Sequence, residues 1–211
     1  MSTNPSTPPG ASASTPAEDT LPPYAGIGLA RVRLVKTAED AAAALAALGS
    51  ADVVGFDTES KPTFAKGEKS TGPHLVQLAT DDTAYLFQVG AAPLRAELHS
   101  VLRTVLESPD ILKVGFGLGD DLRRLQGKLG IETRNVVDLS TALRRRGERN
   151  TLGAKTAVAR FFGQALTKSK RITTTNWALP QLSEKQILYA ADDAHVALRI
   201  YRHWRANPAS V

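Results

Sequence analysis

The order of apolar segments along the chain is the feature that most restricts its fold. Three short apolar segments follow one another between residues 52 and 89, with only loop and turn residues between them. Strands connected in this way are expected to pair as an antiparallel meander. Helical periodicity then alternates with two further short apolar segments. This order predicts an α/β fold, in which α-helices flank a mixed β-sheet.

Periodicity and turn residues give the bounds of the predicted elements. The predicted strands comprise residues 31–35, 52–58, 74–79, 84–89, 111–116 and 135–139. The predicted helices comprise residues 38–48, 93–108, 120–129, 140–146, 152–162 and 184–204. Two of these helices begin with a capping pattern, in which Thr37 precedes Asp40 by three residues and Ser183 precedes Gln186 by three.

The first 25 residues differ in composition from the rest of the chain. They are rich in Ser, Thr, Pro and Ala, and they lack the apolar surface that a packed core requires. We predict a disordered tail over residues 1–25, one domain over residues 26–206 and a short C-terminal tail over residues 207–211. The N-terminal segment also lacks the basic and apolar regions of a secretory signal.

Cysteine is absent, which excludes disulfides and thiolate metal ligands. No apolar run approaches the roughly 20 residues that a membrane-spanning helix needs. We therefore expect a cytoplasmic protein without a membrane partner.

Charge is distributed unevenly between the two halves of the chain. Residues 1–110 contain 8 Lys and Arg against 13 Asp and Glu, whereas residues 111–211 contain 18 against 8. Such asymmetry favours an anionic partner for the second half, although a well-solvated basic surface would give the same count.

Two acids lie at the end of the strand predicted at residues 52–58. Side chains two residues apart share one face of a strand, so Asp57 and Glu59 point the same way. Carboxylates so placed repel each other unless a cation lies between them, and Mg²⁺ or Mn²⁺ prefers such oxygen ligands. By itself the pair is common, and an exposed strand end with two unrelated acids is the simpler interpretation.

A second acidic segment follows the strand predicted at residues 111–116. Asp121 shares a helical stripe with Leu125 and Leu129, whereas Asp120 lies above Arg124 on the solvent side. We predict that Asp120 caps this helix and that Asp121 belongs to a functional site.

The last helix contributes a third acid. Tyr189 and Asp193 are four residues apart, on a face that continues through Val196 toward the core. Asp192 lies on a more polar stripe with His195, which we predict to be a surface residue. A core-facing Asp needs a partner, because burying an unpaired charge is costly. A metal ion and a nearby arginine both satisfy that need.

The glycines at 115, 117 and 119 resemble part of the dinucleotide-binding pattern G-x-G-x-x-G. The third glycine of that pattern would stand at position 120, which is occupied by Asp120. Two acids at the start of the helix would also repel a pyrophosphate. We therefore expect no nucleotide cofactor.

Together, three segments resemble the exonuclease motifs of the DEDD superfamily, tyrosine subclass, which includes ribonuclease D and Werner-type exonuclease domains. The segments are VGFDTE, KVGFGLGDDLRRL and NWALPQLSEKQILYAADDAHVAL. The resemblance extends from about Arg31 to Trp204. Tyr189 stands four residues before Asp193, as the tyrosine subclass requires, whereas the histidine subclass would have its histidine at position 188.

The resemblance implies a ribonuclease-H-like fold and a 3′–5′ exonuclease that uses two divalent metal ions, Mg²⁺ or Mn²⁺. Asp57 would contact both ions, Glu59 and Asp193 would hold the ion that activates water, and Asp121 would support the second ion. Tyr189 would orient the attacking water. The implied products are nucleoside 5′-monophosphates, released from single strands or recessed 3′ ends of DNA or RNA.

Other residues have weaker expectations. Trp177 is expected to pack in the core, and Phe64 to anchor the loop at residues 61–72, which lies beside the strand end and is expected to line the substrate groove. Phosphate contacts are predicted for three cations, for each of which a solvated surface position is the alternative: Lys168, Lys170 and Arg171.

Two other functions fit parts of the sequence. A non-catalytic nucleic-acid-binding module would use the basic second half, although unpaired acids would weaken its binding to phosphates. A dinucleotide-dependent enzyme would use the glycine pattern. The oligomeric state is open.

Overall fold

The computed structural model describes residues 21–64, 67–68, 70–90 and 94–207. A single six-stranded sheet has the order β1-β4-β3-β2-β5-β6. Its strands are β1 (Val32–Val35), β2 (Val53–Glu59), β3 (Leu75–Ala79), β4 (Ala84–Gln88), β5 (Leu112–Gly115) and β6 (Val136–Asp138).

The predicted meander is confirmed, because β3 pairs antiparallel with both β2 and β4. The other neighbours are parallel: β1 with β4, β5 with β2, and β6 with β5. The carboxyl ends of β2, β5 and β6 therefore lie side by side. We call this side of the sheet the carboxyl edge, defined by Glu59, Gly115 and Asp138.

Helices cover both faces of the sheet, which confirms the predicted mixed α/β architecture. Helices α1, α2 and α3 pack on one face, against side chains such as Phe56 and Leu78. Helices α5 and α7 pack on the other face, against side chains such as Val53 and Val114. The helices are α1 (Ala38–Gly49), α2 (Ala96–Leu106), α3 (Gly119–Leu129), α4 (Leu139–Ala142), α5 (Ala154–Phe162), α6 (Lys170–Thr173) and α7 (Glu184–Ala206).

The long helix α7 crosses the sheet with its backbone close to β2. A Cβ atom at Gly55 would lie 1.9 Å from the carbonyl oxygen of Ala194, so only glycine permits this approach. The capping box of Ser183 and Gln186 is confirmed, as is that of Thr37 and Asp40 at α1. The close approach places the middle of α7 directly beside the end of β2.

His195 is buried, so the prediction of a surface residue is wrong. Its side chain is 6% exposed, and Nε2 lies 3.1 Å from the carbonyl oxygen of Asp81 in the β3–β4 turn. Burial lowers the pKa of His195. The polar stripe on which it lies faces another segment of the chain rather than solvent.

Several predicted element bounds differ from the structure. The helix predicted at residues 140–146 is only the single turn α4, because a loop with Gly147 at φ +93° follows it. The short helix α6 has no counterpart among the predicted elements.

Residues 21–28 run along α7, and we call them the N-terminal strap. Pro23 forms a parallel bridge with Ala165, and the amide of Ile27 donates to Asp192 Oδ1 at 2.7 Å. The strap includes the last residues of the predicted tail, whose residues 1–20 lie outside the described residues, as do residues 208–211. Within the described ranges, no helix is long and apolar enough to cross a membrane.

Candidate active site

Three of the predicted acids meet at the carboxyl edge. Asp57 and Glu59 project from the end of β2 on the face covered by α7, and α7 contributes Asp193. One carboxylate oxygen from each residue lies within 4.8 Å of those of the other two. We call these three residues the acid cluster. Asp193 is buried, at 7% exposed, and Asp57 and Glu59 are partly buried.

Burial of three neighbouring acids makes each of them hard to ionise. Burial raises the pKa of Asp57 well above its usual value, and the charges of Asp193 and Asp121 add to this effect. Burial, together with the charge of Asp57, raises the pKa of Glu59 to about 9. Burial also raises the pKa of Asp193. Such a cluster is stabilised in its ionised form by a cation between the carboxylates.

Lys168 supplies one positive charge at the cluster. Its Nζ lies 2.7 Å from Asp193 Oδ1 and 5.7 Å from the centre of the Tyr189 ring. Burial favours the neutral amine, but Asp193, Tyr189 and Asp57 outweigh it and raise the pKa of Lys168. Lys168 is therefore an ammonium held against the acids, not a freely solvated cation.

Asp121 approaches the cluster from the other face of β2. Thr58, between Asp57 and Glu59, points toward α3, because successive side chains of a strand alternate in direction. Its hydroxyl donates to Asp121 Oδ1 at 2.5 Å, and its amide donates to Asp57 Oδ1 at 2.9 Å. Thr58 therefore connects the two acids across the strand. Burial raises the pKa of Asp121.

Tyr189 lies one helical turn before Asp193, on the same side of α7. Its hydroxyl is also 3.1 Å from Thr173 Oγ1 in α6. Burial and the charge of Asp193 raise the pKa of Tyr189 to about 12, so the phenol is protonated at neutral pH. Trp177 packs 6.0 Å from the Tyr189 ring and is 1% exposed, which confirms the predicted core position.

The prediction that Asp120 caps α3 is wrong. Asp120 lies within the first turn of α3 and forms ion pairs with Arg123 and Arg124. The N-cap residue of α3 is Leu118, and no side chain caps the helix. The carboxylate of Asp138, at the end of β6, accepts hydrogen bonds from the amides of Gly117 at 2.9 Å and Leu118 at 3.0 Å.

Phe64 does not anchor its loop, so that prediction is also wrong. Its side chain is 81% exposed. Residues 65, 66 and 69 of the same loop lie outside the described residues. Of the predicted phosphate contacts besides Lys168, Arg171 is exposed, and the side chain of Lys170 is outside the described part of the structure.

Two residues of the site were not among the predicted site residues. Thr58 and Thr173 hold Asp121 and Tyr189 through their hydroxyl groups. Strand alternation provides a signal for Thr58, because it places this residue on the face opposite Asp57. No comparable signal exists for Thr173, since its contact depends on how α6 packs against α7.

The donor atoms of the acid cluster match those preferred by hard divalent cations. All three residues offer carboxylate oxygens, with no nitrogen or sulfur among them. Three acids, of which one is buried and two are partly buried, and one ammonium leave an excess of negative charge when the acids are ionised. The residues present therefore fit Mg²⁺ or Mn²⁺.

Comparison with known proteins gives a consistent set of relatives. The family described as 3′–5′ exonuclease matches residues 32–206. The bifunctional 3′–5′ exonuclease/ATP-dependent helicase WRN of Mus musculus is 30% identical over 156 residues, which are 74% of this chain and 11% of that protein. Ribonuclease D of Xanthomonas oryzae pv. oryzae is 29% identical over 150 residues, or 70% of this chain and 38% of that protein.

A 3′–5′ exonuclease of Arabidopsis thaliana is 28% identical over 163 residues, which are 75% of this chain and 54% of that protein. The chain thus spans from about a tenth to about half of the length of these relatives.

Solved structures show the same fold. The Nibbler EXO domain of Aedes aegypti superposes with a TM-score of 0.69 and 26% identity, covering 84% of this chain and 88% of that chain. RNase D of Trypanosoma brucei, in a complex with RNA, superposes with a TM-score of 0.73 and 22% identity, covering 83% of this chain and 63% of that chain. The fold is therefore the ribonuclease-H-like α/β fold. From the family match, the shared fold and the three motifs, we conclude that this chain belongs to the 3′–5′ exonuclease family of the DEDD superfamily.

Proposed function

We propose that this protein is a metal-dependent 3′–5′ exonuclease that hydrolyses the terminal phosphodiester of DNA or RNA. The observation that carries the proposal is the acid cluster, in which Asp57, Glu59 and Asp193 offer oxygens within 4.8 Å of one another at the carboxyl edge. Family membership supports the same reaction. The names of the relatives include both a ribonuclease and a helicase-linked exonuclease, so either nucleic acid is a candidate substrate.

Two divalent ions, Mg²⁺ or Mn²⁺, are the proposed cofactors. Asp57, Glu59 and Asp193 would hold them, with Asp121 acting from the opposite face of β2. Bound divalent cations supply Lewis acidity toward a phosphate and lower the pKa of a bound water. The raised pKa values of the acids support the proposal, because a group of buried carboxylates needs a cation in order to ionise.

Tyr189 is proposed to orient the attacking water. Because the pKa of Tyr189 is about 12, the phenol does not serve as a proton acceptor at neutral pH. It acts as a hydrogen-bonding group whose position is fixed by Thr173. The water attacks the terminal phosphorus, and the 3′ oxygen of the preceding nucleotide leaves and takes up a proton. The products are a nucleoside 5′-monophosphate and a strand shorter by one nucleotide.

Lys168 is proposed to contact the phosphate of the terminal nucleotide. Its ammonium is already at the acid cluster, 2.7 Å from Asp193, and 28% of its side chain is exposed. A phosphate beside the cluster would therefore be within its reach. Lys170 and Arg171 follow in α6 and are proposed as further phosphate contacts.

Digestion of matched RNA and DNA oligonucleotides tests the proposal. We expect nucleotide release with Mg²⁺ or Mn²⁺, and loss of that release with EDTA or with the Asp57→Ala variant, whose melting temperature should stay near that of the wild type. Full activity of Asp57→Ala, or activity that persists in EDTA, would exclude this function. A protein that only binds nucleic acid would shift the oligonucleotide in a gel without shortening it.

A further inference from the structure

An arginine-rich loop follows helix α4, and we call residues 144–149 the arginine loop. Within residues 139–160, six basic residues stand against one acid, which gives the same net charge of +5 as the whole chain. The loop contains four arginines, and all four are exposed: Arg144, Arg145, Arg146 and Arg149. Positive charge is therefore concentrated in one short stretch of surface.

Internal hydrogen bonds hold the arginine loop in shape. Its one acid, Glu148, accepts from Arg160 at 2.6 Å and from the amide of Arg145 at 2.9 Å. The carbonyl oxygen of Glu148 accepts from the Arg144 guanidinium at 2.7 Å. Glu148 is thus engaged within the domain and does not neutralise the outward-facing guanidinium groups.

Three arginines of the loop have side chains that form no ion pair with an acid. In the described part of the chain, the side chains of Arg145, Arg146 and Arg149 form no ion pair. A guanidinium group has five N–H donors in a planar fork that matches a phosphate. Three such groups on a shaped loop are suited to an anionic partner with regularly repeated phosphates.

A groove lies at the carboxyl edge, between the start of α3 and the residues that follow the arginine loop. It has a volume of about 490 Å³, and its lining includes Asp120, Asp138 and Thr151. In the sequence, Asp120 precedes Asp121 of the candidate site, and Thr151 lies two residues after Arg149. The groove therefore lies between the segments that carry Asp121 and the arginine loop, beside the carboxyl ends of β5 and β6.

The two acids that line this groove already have partners. Asp120 pairs with Arg123 and Arg124, and Asp138 accepts hydrogen bonds from three backbone amides. Their charges are therefore compensated from within the domain. A phosphate backbone lying in the groove would meet acids whose charges are compensated, next to the segment that carries the arginine loop.

We propose that the arginine loop binds the phosphates of upstream nucleotides, in a single strand that leaves the acid cluster along this groove. The inference rests on the proposed exonuclease function, because it places the 3′ end of the strand at the acid cluster. The contacts would be to phosphates and not to bases, so binding would be independent of sequence. The loop would contribute affinity for strands long enough to reach it, without acting on the terminal phosphodiester.

A charge-matched pair of triple variants tests this proposal. The loop variant is Arg145→Gln/Arg146→Gln/Arg149→Gln. The control variant, Arg31→Gln/Arg134→Gln/Arg205→Gln, changes the net charge equally. Its three positions are exposed and lie near the opposite side of the sheet, at the starts of β1 and β6 and the end of α7. Melting temperatures of all proteins are measured first, and we expect them to agree.

Binding of a 5′-fluorescein-labelled 12-nucleotide DNA in EDTA is then followed by anisotropy over a range of salt concentrations. We expect the loop variant to bind about tenfold more weakly or worse at low salt. We also expect the slope of log K against log salt to become shallower by about 2, since each lost phosphate contact removes about 0.7. The control variant should keep the wild-type affinity and slope. The proposal is overturned if the wild type and the loop variant have equal affinities and slopes, or if neither binds measurably. It is also overturned if the control variant loses as much affinity as the loop variant.

Nucleotide release separates a failure of this proposal from a failure of the proposed function. With Mn²⁺, we expect the loop variant to show a higher KM for the 12-mer at unchanged kcat, and unchanged kcat/KM for a trinucleotide. If the wild type releases nucleotides but the loop variant matches it on the 12-mer, the loop has no role in substrate binding. If the wild type releases none, the exonuclease proposal fails, while the binding comparison still decides whether the loop contacts nucleic acid.

Discussion

The Nζ atom of Lys168 lies 2.7 Å from Oδ1 of Asp193, one of the three residues of the acid cluster. An ammonium in this position stabilises the ionised Asp193 but competes with a metal ion for the same oxygen. Lys168→Met should therefore increase the affinity for Mn²⁺ by about tenfold, which is 1.4 kcal/mol, while lowering nucleotide release. Isothermal titration calorimetry measures the affinity. Lys155→Met, at an exposed position of α5, is the control and should change neither quantity. Weaker Mn²⁺ binding by Lys168→Met would show that the ammonium does not compete with the metal.

Thr58 is expected to matter for activity through Asp121. Thr58→Val keeps the shape of the side chain but removes the hydroxyl that donates to Asp121 Oδ1. A hydrogen bond to a charged group contributes about 1.5–3 kcal/mol, so we expect kcat to fall by roughly tenfold or more. Thr58→Ser retains the hydroxyl and should recover most of the rate. Equal rates for Thr58→Val and Thr58→Ser would mean that the hydroxyl does not position Asp121.

The contribution of the acid cluster to the stability of the metal-free protein should fall as pH rises from about 4.5 to about 9. Burial raises the folded-state pKa of Glu59 to about 9, and those of Asp57 and Asp193 are also raised. In this range these three groups therefore bind more protons in the folded state than in the unfolded state, and their contribution to the free energy of unfolding decreases as pH rises. Thermal unfolding in EDTA at several pH values measures the slope. Glu59→Gln removes one of these groups and should give a flatter curve, whereas parallel curves would contradict the raised pKa.

The N-terminal strap should tolerate a methyl group at Gly28 but not at Gly26. A Cβ atom at Gly26 would lie 2.2 Å from Asp192 Oδ1, whereas nothing lies within 4 Å of one at Gly28. Gly26→Ala must displace the carboxylate that accepts from the amide of Ile27. We expect a loss of about 1–3 kcal/mol in the free energy of unfolding, and little change for Gly28→Ala. Chemical denaturation compares them, and equal stabilities would show that the strap does not depend on this contact.

Much of the fold and the acid cluster follows from local periodicity. Strand alternation places Asp57 and Glu59 on one face, and helical phase selects Asp193 over its neighbour Asp192. Both inferences depend only on the geometry of a single element. The antiparallel meander follows in the same way, because short connections leave few other ways for three strands to pair.

Contacts between distant segments explain where prediction fails. His195 is buried because the β3–β4 turn lies over its stripe of α7, which no pattern within the helix indicates. The amides just before α3 donate to the carboxylate of Asp138, from a strand about twenty residues later, whereas Asp120 pairs with arginines of its own helix. Lys168 reaches Asp193 from an irregular loop, where no periodicity defines the direction of a side chain.

The most direct test of the proposed reaction uses one oligonucleotide sequence in two forms, one labelled at the 5′ end and one at the 3′ end. Each form is incubated with the wild type and Mn²⁺, and its products are separated by length. With a 5′ label, we expect a ladder of products that shorten one nucleotide at a time. With a 3′ label, we expect the label to appear at once as a mononucleotide. Asp193→Asn should give neither pattern. Internal fragments without released mononucleotides, release from the 5′ end, or an unchanged ladder with Asp193→Asn would contradict a 3′–5′ exonuclease built on this acid cluster.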